Sequence, residues 1–353
     1  MLIRGFTDRV RGAVGLGLTL SLSAAAGLPS AVAAEGRADE PRPAPMVIER
    51  QGSFAAGGKV VGEPGNTLHC DHGVVDYQIP VNARKHGLFL WHSSGAQVWK
   101  QRWDGGEGYQ SIFLRNDYSI YIWDGPRVGR ANWGCEEYTF KPRMGVDRLN
   151  FFGWRLGTED GEWFPNVQFP RDDPAAREQA ARSRYDEFDT RENVDLQVAA
   201  AAKAMDKVGP AVLVTSSAGG LRALLTATQS DNVKAVVAYE TPAYVFPEGE
   251  GPEGPTGPID SHRVPLSDFM KLTRIPIQIV WGDNVEGTFW EPDIKLARQF
   301  VDIVNAHGGQ AELLLLPSIG IRGNTHLPFA DMNNVEIADQ LSLFLKKHKL
   351  DLR

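Results

Sequence analysis

Ala211-Val-Leu-Val-Thr-Ser-Ser217-Ala-Gly-Gly220-Leu-Arg-Ala-Leu-Leu225 constrains this chain more than any other stretch. Ala211 to Val214 is an apolar run after Gly209-Pro210, the pattern of a strand buried on both faces. Leu221, Leu224 and Leu225 then follow at helical spacing, so a helix begins almost at once. A strand that becomes a helix with no loop strains the residue at the bend, and the positions two before and two after it must be small. Thr215-Ser216-Ser217-Ala218-Gly219 meets this as a variant of G-x-S-x-G with Thr in the first Gly position. Such a bend pushes the Ser217 hydroxyl out at the carboxyl end of the sheet. It leaves the Ala218 N–H at the helix N-terminus, facing the same space. This is the pattern of a nucleophile elbow. A Ser-rich turn capping an ordinary helix is the plainer reading. Ser216 is a rival bend residue, but it would put the β-branched Val214 in a small position, which favours Ser217.

A serine hydroxyl is a poor nucleophile until a base removes its proton. In elbow-type hydrolases the His comes last in chain order. His326 lies near the end of a loop, Ser318-Ile-Gly-Ile-Arg-Gly-Asn-Thr-His326, between the last apolar strand and the final helix, and is the candidate base. The base needs a carboxylate to hold its tautomer. Glu240 ends the strand after the elbow strand, just before Thr241-Pro242, while Asp283 and Glu286 follow the next strand. A carboxylate ending an apolar strand is costly to bury unless paired, whereas Asp283 after Gly282 suits a turn cap, which favours Glu240. Trp91-His92-Ser93-Ser94-Gly95 leaves a strand where such sheets supply the second oxyanion N–H, so the expected backbone donors are Ser94 and Ala218. His92 reads as a structural hydrogen-bonding residue rather than a second base.

Around the elbow, apolar runs at Gly87–Trp91, Ser119–Trp123, Lys234–Glu240, Ile275–Gly282 and Ala311–Pro317 predict mostly parallel, buried strands. Helical periods cover 192–207, 291–308 and 335–348, and residues 104–117 suit a crossover helix. The start reads as a glycine-rich turn at Gly52–Gly58, a strand from Lys59 and a half-exposed strand at Val74–Val81. Residues 246–265, dense in Pro, Gly and Glu, predict an irregular link. Residues of about 128–190, rich in Trp, Phe, Arg and Asp, read as a cap inserted over the carboxyl edge. The sum is an α/β fold whose ligands bind outside the carboxyl ends of the strands.

Arg4, Arg9 and Arg11 precede an apolar run from Ala13 to Leu28, and Ala31-Val-Ala33 suits a signal peptidase, so residues 1–33 read as a secretory signal. Pro-rich residues 34–46 then form a flexible linker, and 47–353 the folded domain. The whole chain carries −7; losing three Arg and one Asp with the signal leaves −9, with no basic block to favour nucleic acid or an anionic membrane. Cys70 and Cys135 are the two cysteines, and in an exported protein they form either a disulfide or two separate buried thiols. His69-Cys70-Asp71-His72 has metal-type side chains, but consecutive residues point apart, and no metal or organic cofactor is required. The cap tryptophans read mainly as core, and Glu248, Glu250 and Glu253 as a solvated acidic loop.

Gly52-Ser-Phe-Ala-Ala-Gly-Gly58, Tyr77-Gln-Ile-Pro80, Trp99 through Asp104-Gly105, the elbow, Tyr239-Glu-Thr-Pro242 and Gly323-Asn-Thr-His326 with Asn333-Asn334 resemble the esterase 713-like α/β-hydrolases, a group of secreted bacterial esterases. The resemblance is discontinuous, from about residue 50 to 348. It implies the α/β-hydrolase fold, hydrolysis of small carboxylic esters, and a Ser217, His326, Glu240 triad. The chain departs from the family at Ser93-Ser94-Gly95, where the type member has adjacent cysteines in a longer loop, and at 244–272, which is longer here. Acyl and alcohol preference therefore does not carry over. An amidase, lactonase or polymer-cleaving hydrolase on the same triad, and a non-catalytic exported binding protein, are the alternatives.

Overall fold

The computed structural model of the protein describes residues 44–93, 95–141, 143–184 and 190–353; the expected signal segment and Ser94 lie outside them. Ten strands are present among these residues: β1 (Ile48–Glu63), β2 (Asn66–Pro80), β3 (Gly87–Trp91), β4 (Ile120–Asp124), β5 (Ala211–Ser216), β6 (Val233–Tyr239), β7 (Val245–Pro247), β8 (His262–Val264), β9 (Pro276–Trp281) and β10 (Gln310–Leu315). Eight form one sheet in the order β1-β2-β4-β3-β5-β6-β9-β10. The β2 strand runs antiparallel to both its neighbours, and the six from β4 to β10 are parallel. The parallel strands read as continuous apolar runs because each face meets its own core. Leu213, Val236 and Ala238 enter one, while Val212, Val214, Val237 and Tyr239 enter the other.

Among the described residues nine helices accompany the sheet: α1 (Gln97–Lys100), α2 (Tyr109–Arg115), α3 (Val146–Gly153), α4 (Pro174–Arg182), α5 (Arg191–Val208), α6 (Gly219–Ala227), α7 (Leu266–Leu272), α8 (Glu291–Ala306) and α9 (Asn334–Lys347). The first core takes Val198 and Met205 of α5 and Phe300 of α8; the second takes Ile337, Leu341 and Phe344 of α9. The crossover helix expected at 104–117 is α2, held to seven residues by Gly108 before it and Asn116 after it. Between β4 and α5, the described residues contribute a 3₁₀ turn and the helices α3 and α4, and no strand of the sheet. None of the described helices is long and apolar enough to cross a membrane.

Two expectations are corrected. The glycine-rich Gly52–Gly58 segment is not a turn but the middle of β1, paired with β2 along its length. Its glycines serve close approach: a Cβ on Gly57, at φ +71°, would lie 2.6 Å from Ala200 Cα of α5. The link at 246–265 is not wholly irregular, because β7 and β8 pair in parallel within it. Strands of three residues are too short to display a period. The helix α7 was not anticipated. The cysteines form a disulfide, joining β2 to the segment after β4. Beside it, the buried Asp71 carboxylate accepts from Arg127 Nε at 3.0 Å.

Candidate active site

The bend between β5 and α6 falls at Ser217, whose φ is +52°. A residue with a side chain adopts this left-handed conformation only when its surroundings impose it. Here they do. The Ser217 N–H donates to the Tyr239 carbonyl of β6 at 2.8 Å, and the Ser217 carbonyl accepts from Gly220 N–H at 2.9 Å. A Cβ on Gly219 would stand 2.3 Å from Thr215 Oγ1, and one on Gly220 2.3 Å from Thr241 Oγ1. The helix thus enters at a distance that only glycine permits. Ser216, the rival, is buried, and its hydroxyl has no hydrogen-bond partner among the described residues; Ser217 is half-buried.

Glu240 directly follows β6, the strand beside β5, and is also in the left-handed region at φ +57°. Its N–H donates to the Val280 carbonyl at 2.8 Å, fixing the backbone across to β9. The carboxylate is fully buried, and its Oε1 accepts from Gly282 N–H at 2.5 Å and Arg155 Nη2 at 2.6 Å. Oε2 lies 3.4 Å from His326 Nδ1. That is an ion-pair distance, longer than the hydrogen bond such pairs form when substrate is bound. Burial alone would raise the Glu240 pKa, but the adjoining Arg155 and His326 outweigh it and hold the carboxyl below its ordinary range. The His326 imidazole moves down as well, first by burial and further by Arg155 and Arg184, against the pull of Glu240.

The loop carrying His326 is held at every turn. Asp331 accepts Thr325 N–H at 2.7 Å, Thr325 Oγ1 at 2.8 Å and Asn324 Nδ2 at 3.1 Å. Asp283 donates its N–H to the Asn324 carbonyl at 3.0 Å and accepts Gly323 N–H on Oδ2 at 2.8 Å. Asp283, the competing acid, therefore engages the loop backbone rather than the imidazole, and Glu286 is exposed. The His326 N–H donates to the Trp154 carbonyl at 2.9 Å, and the ring stacks on Trp290 with centroids 4.5 Å apart and planes 21° apart.

His92, at the end of β3, has Nε2 2.8 Å from Asp124 Oδ1, and the other Asp124 oxygen accepts Arg130 Nε at 2.6 Å. Asp124 is buried, yet these two partners keep its carboxyl below its usual range. The imidazole thus has a carboxylate of its own, as a structural hydrogen-bonding role requires. Ala218 sits immediately before α6. Among the described residues, no group of three or more His, Cys, Asp or Glu is arranged to hold a metal ion.

A crystal structure described as a novel bacterial esterase superposes on this chain with a TM-score of 0.73 at 25% identity, covering 88% of this chain and 99% of its own. The chain has the α/β-hydrolase fold. An esterase of Pyrococcus furiosus is more distant, with a TM-score of 0.46 at 12% identity over 84% of this chain and 92% of its own. No protein-family model matches the sequence, and the search of curated proteins found no match.

In this hydrolase, sequence reasoning passed over Arg155, Trp290 and Asp331. A lone Arg in a Trp-rich segment carries no periodic signal, and each of these residues acquires its neighbours only through folding. The segment between β4 and α5 also lines an open cleft of about 610 Å³, whose wall combines Phe151, Trp154, Trp163 and Phe169 with Asp147, Arg177 and Glu178. Trp154 and Trp163 are thus wall residues rather than pure core.

Proposed function

We propose that the protein is an exported serine hydrolase that cleaves carboxylic esters through an acyl-enzyme. The observation that carries this reading is the Glu240 carboxylate 3.4 Å from His326 Nδ1, one strand over from a serine held at φ +52° on a strand-to-helix bend. The likeness to a bacterial esterase over nearly its whole length supports the substrate class. In this reading His326 Nε2 takes the Ser217 proton as Oγ attacks the ester carbonyl, and the backbone N–H groups of Ala218 and Ser94 hold the oxyanion. Collapse expels the alcohol with the proton returned by His326. Water then repeats the sequence on the acyl-enzyme and releases the acid. Glu240 holds the imidazole tautomer and balances the imidazolium. Export rests on the signal-like residues 1–33, and the disulfide suits an oxidising compartment. The cleft shares Trp154 with the His326 loop, and the aromatic part of its wall suits the hydrocarbon part of a small ester.

A fluorophosphonate probe is expected to label wild type and not Ser217→Ala, with esterase activity falling by roughly 10⁴-fold or more in the variant. Labelling that persists in Ser217→Ala would overturn the nucleophile. Matched ester and amide substrates separate the esterase from the amidase reading, and a lack of any labelling would favour the non-catalytic one.

A further inference from the structure

Three consecutive residues at the end of α3 and just beyond it reach the groups around the base. The Gly153 carbonyl accepts Trp290 Nε1–H at 2.7 Å, and the Trp154 carbonyl accepts His326 N–H at 2.9 Å. Arg155 donates from Nη2 to Glu240 Oε1 at 2.6 Å and from Nε to the Asp283 carbonyl at 2.8 Å. Its backbone is left-handed, at φ +55°, and its side chain is wholly buried with the guanidinium 6.0 Å from the Trp281 ring centroid. Burying a guanidinium is unfavourable unless it is fully engaged, and Nη1 finds no partner among the described residues. The burial is therefore not explained by satisfying Arg155 itself. Its consequence lies at Glu240. Oε1 is taken by two fixed donors, which stops the carboxylate from rotating, while Oε2 accepts no hydrogen bond among the described residues and faces His326.

We propose that Arg155 is the positioning residue of this active site, clamping Glu240 by one oxygen so that the other is presented to His326. The proposal rests on the Ser217, His326, Glu240 reading. The charge balance supports it: Arg155 and Glu240 cancel while His326 is neutral, so the cluster becomes cationic only when the imidazole takes the serine proton opposite the oxyanion. Other groups face this cluster. Arg184 acts on His326, Asp293 and Tyr244 on Glu240, and Asp331 on Arg155, while the Asp283 carboxylate is occupied by Gly323 and Asn166. Arg155 alone among them forms a hydrogen bond to the Glu240 carboxylate.

The test is a double-mutant cycle of Arg155→Met and Glu240→Gln, read as kcat, KM and pH profile on a nitrophenyl ester. Arg155→Met is expected to lower kcat by about 10²-fold with KM within threefold, and to move the acid limb of kcat/KM to higher pH. Both Glu240 and His326 protonate more readily once the cation is gone, so the two shifts have one sign. In the Glu240→Gln background, adding Arg155→Met is expected to change kcat by less than about threefold, because its route of action is already cut. A folded Arg155→Met enzyme with unchanged kcat and acid limb overturns the proposal, as does a loss that multiplies fully with that of Glu240→Gln. Should Arg155→Met not fold, Arg155→Lys decides: loss of tenfold or more in kcat at constant KM supports the clamp, and wild-type kcat refutes it. Failure of the underlying triad is recognised separately, as Glu240→Gln within a few-fold of wild type.

Discussion

Burial favours the neutral form of both His326 and Glu240, yet the two groups rest in different charge states at neutral pH. The imidazole goes down because burial and Arg155 act together, and the carboxyl goes down because Arg155 and His326 overcome burial. A neutral base beside an ionised acid is therefore the resting pair at neutral pH, the state that general-base catalysis needs. The sign for activity follows. The base must be unprotonated, so kcat/KM should rise with pH through the His326 pKa of the free enzyme, and that pKa lies below the ordinary 6.5. The acid limb is thus expected to have its midpoint below pH 6.5, with a plateau at neutrality, measured on a substrate that does not itself titrate. A midpoint at pH 7 or above would contradict this electrostatic account.

Among the elements, the junction of β5 and α6 is the tightest. A Cβ at position 220 would meet Thr241 Oγ1 at 2.3 Å and Thr241 Cβ at 2.4 Å, and Thr241 is fully buried. Gly220→Ala should therefore destabilise the fold by about 1–3 kcal/mol, seen as a lower midpoint in urea unfolding. An unchanged midpoint would mean that α6 can slide away from β6. The central strands and this junction were legible in the chain because parallel strands buried on both faces leave continuous apolar runs, and the bend demands small neighbours at fixed offsets. The approach of Glu240 to His326 was legible for a related reason: each follows a recognisable strand. Arg155 was not, since its partner lies 85 residues away and nothing in a local window marks the pairing. The paired strands β7 and β8 and the glycines within β1 were hidden by shortness and by the double meaning of glycine, which marks turns and close contacts alike.

For the molecule as a whole, the Cys70–Cys135 bridge closes a span of 65 residues that includes β3, α1, α2 and β4. Removing a cross-link of this span should lower stability by about 4 kcal/mol through the freedom returned to the unfolded chain. Cys135→Ser, or reduction of wild type, is expected to lower the thermal midpoint markedly; equal midpoints with and without reductant would refute this. The carbonyl of Trp154 leads to a different kind of consequence. Because the excursion between β4 and α5 supplies a backbone acceptor to the His326 loop, it is not an ornament that a protein engineer could trim or exchange at will. Chimeras that replace this segment to alter selectivity would have to preserve that short stitch, or inherit a histidine loop short of one of its backbone anchors.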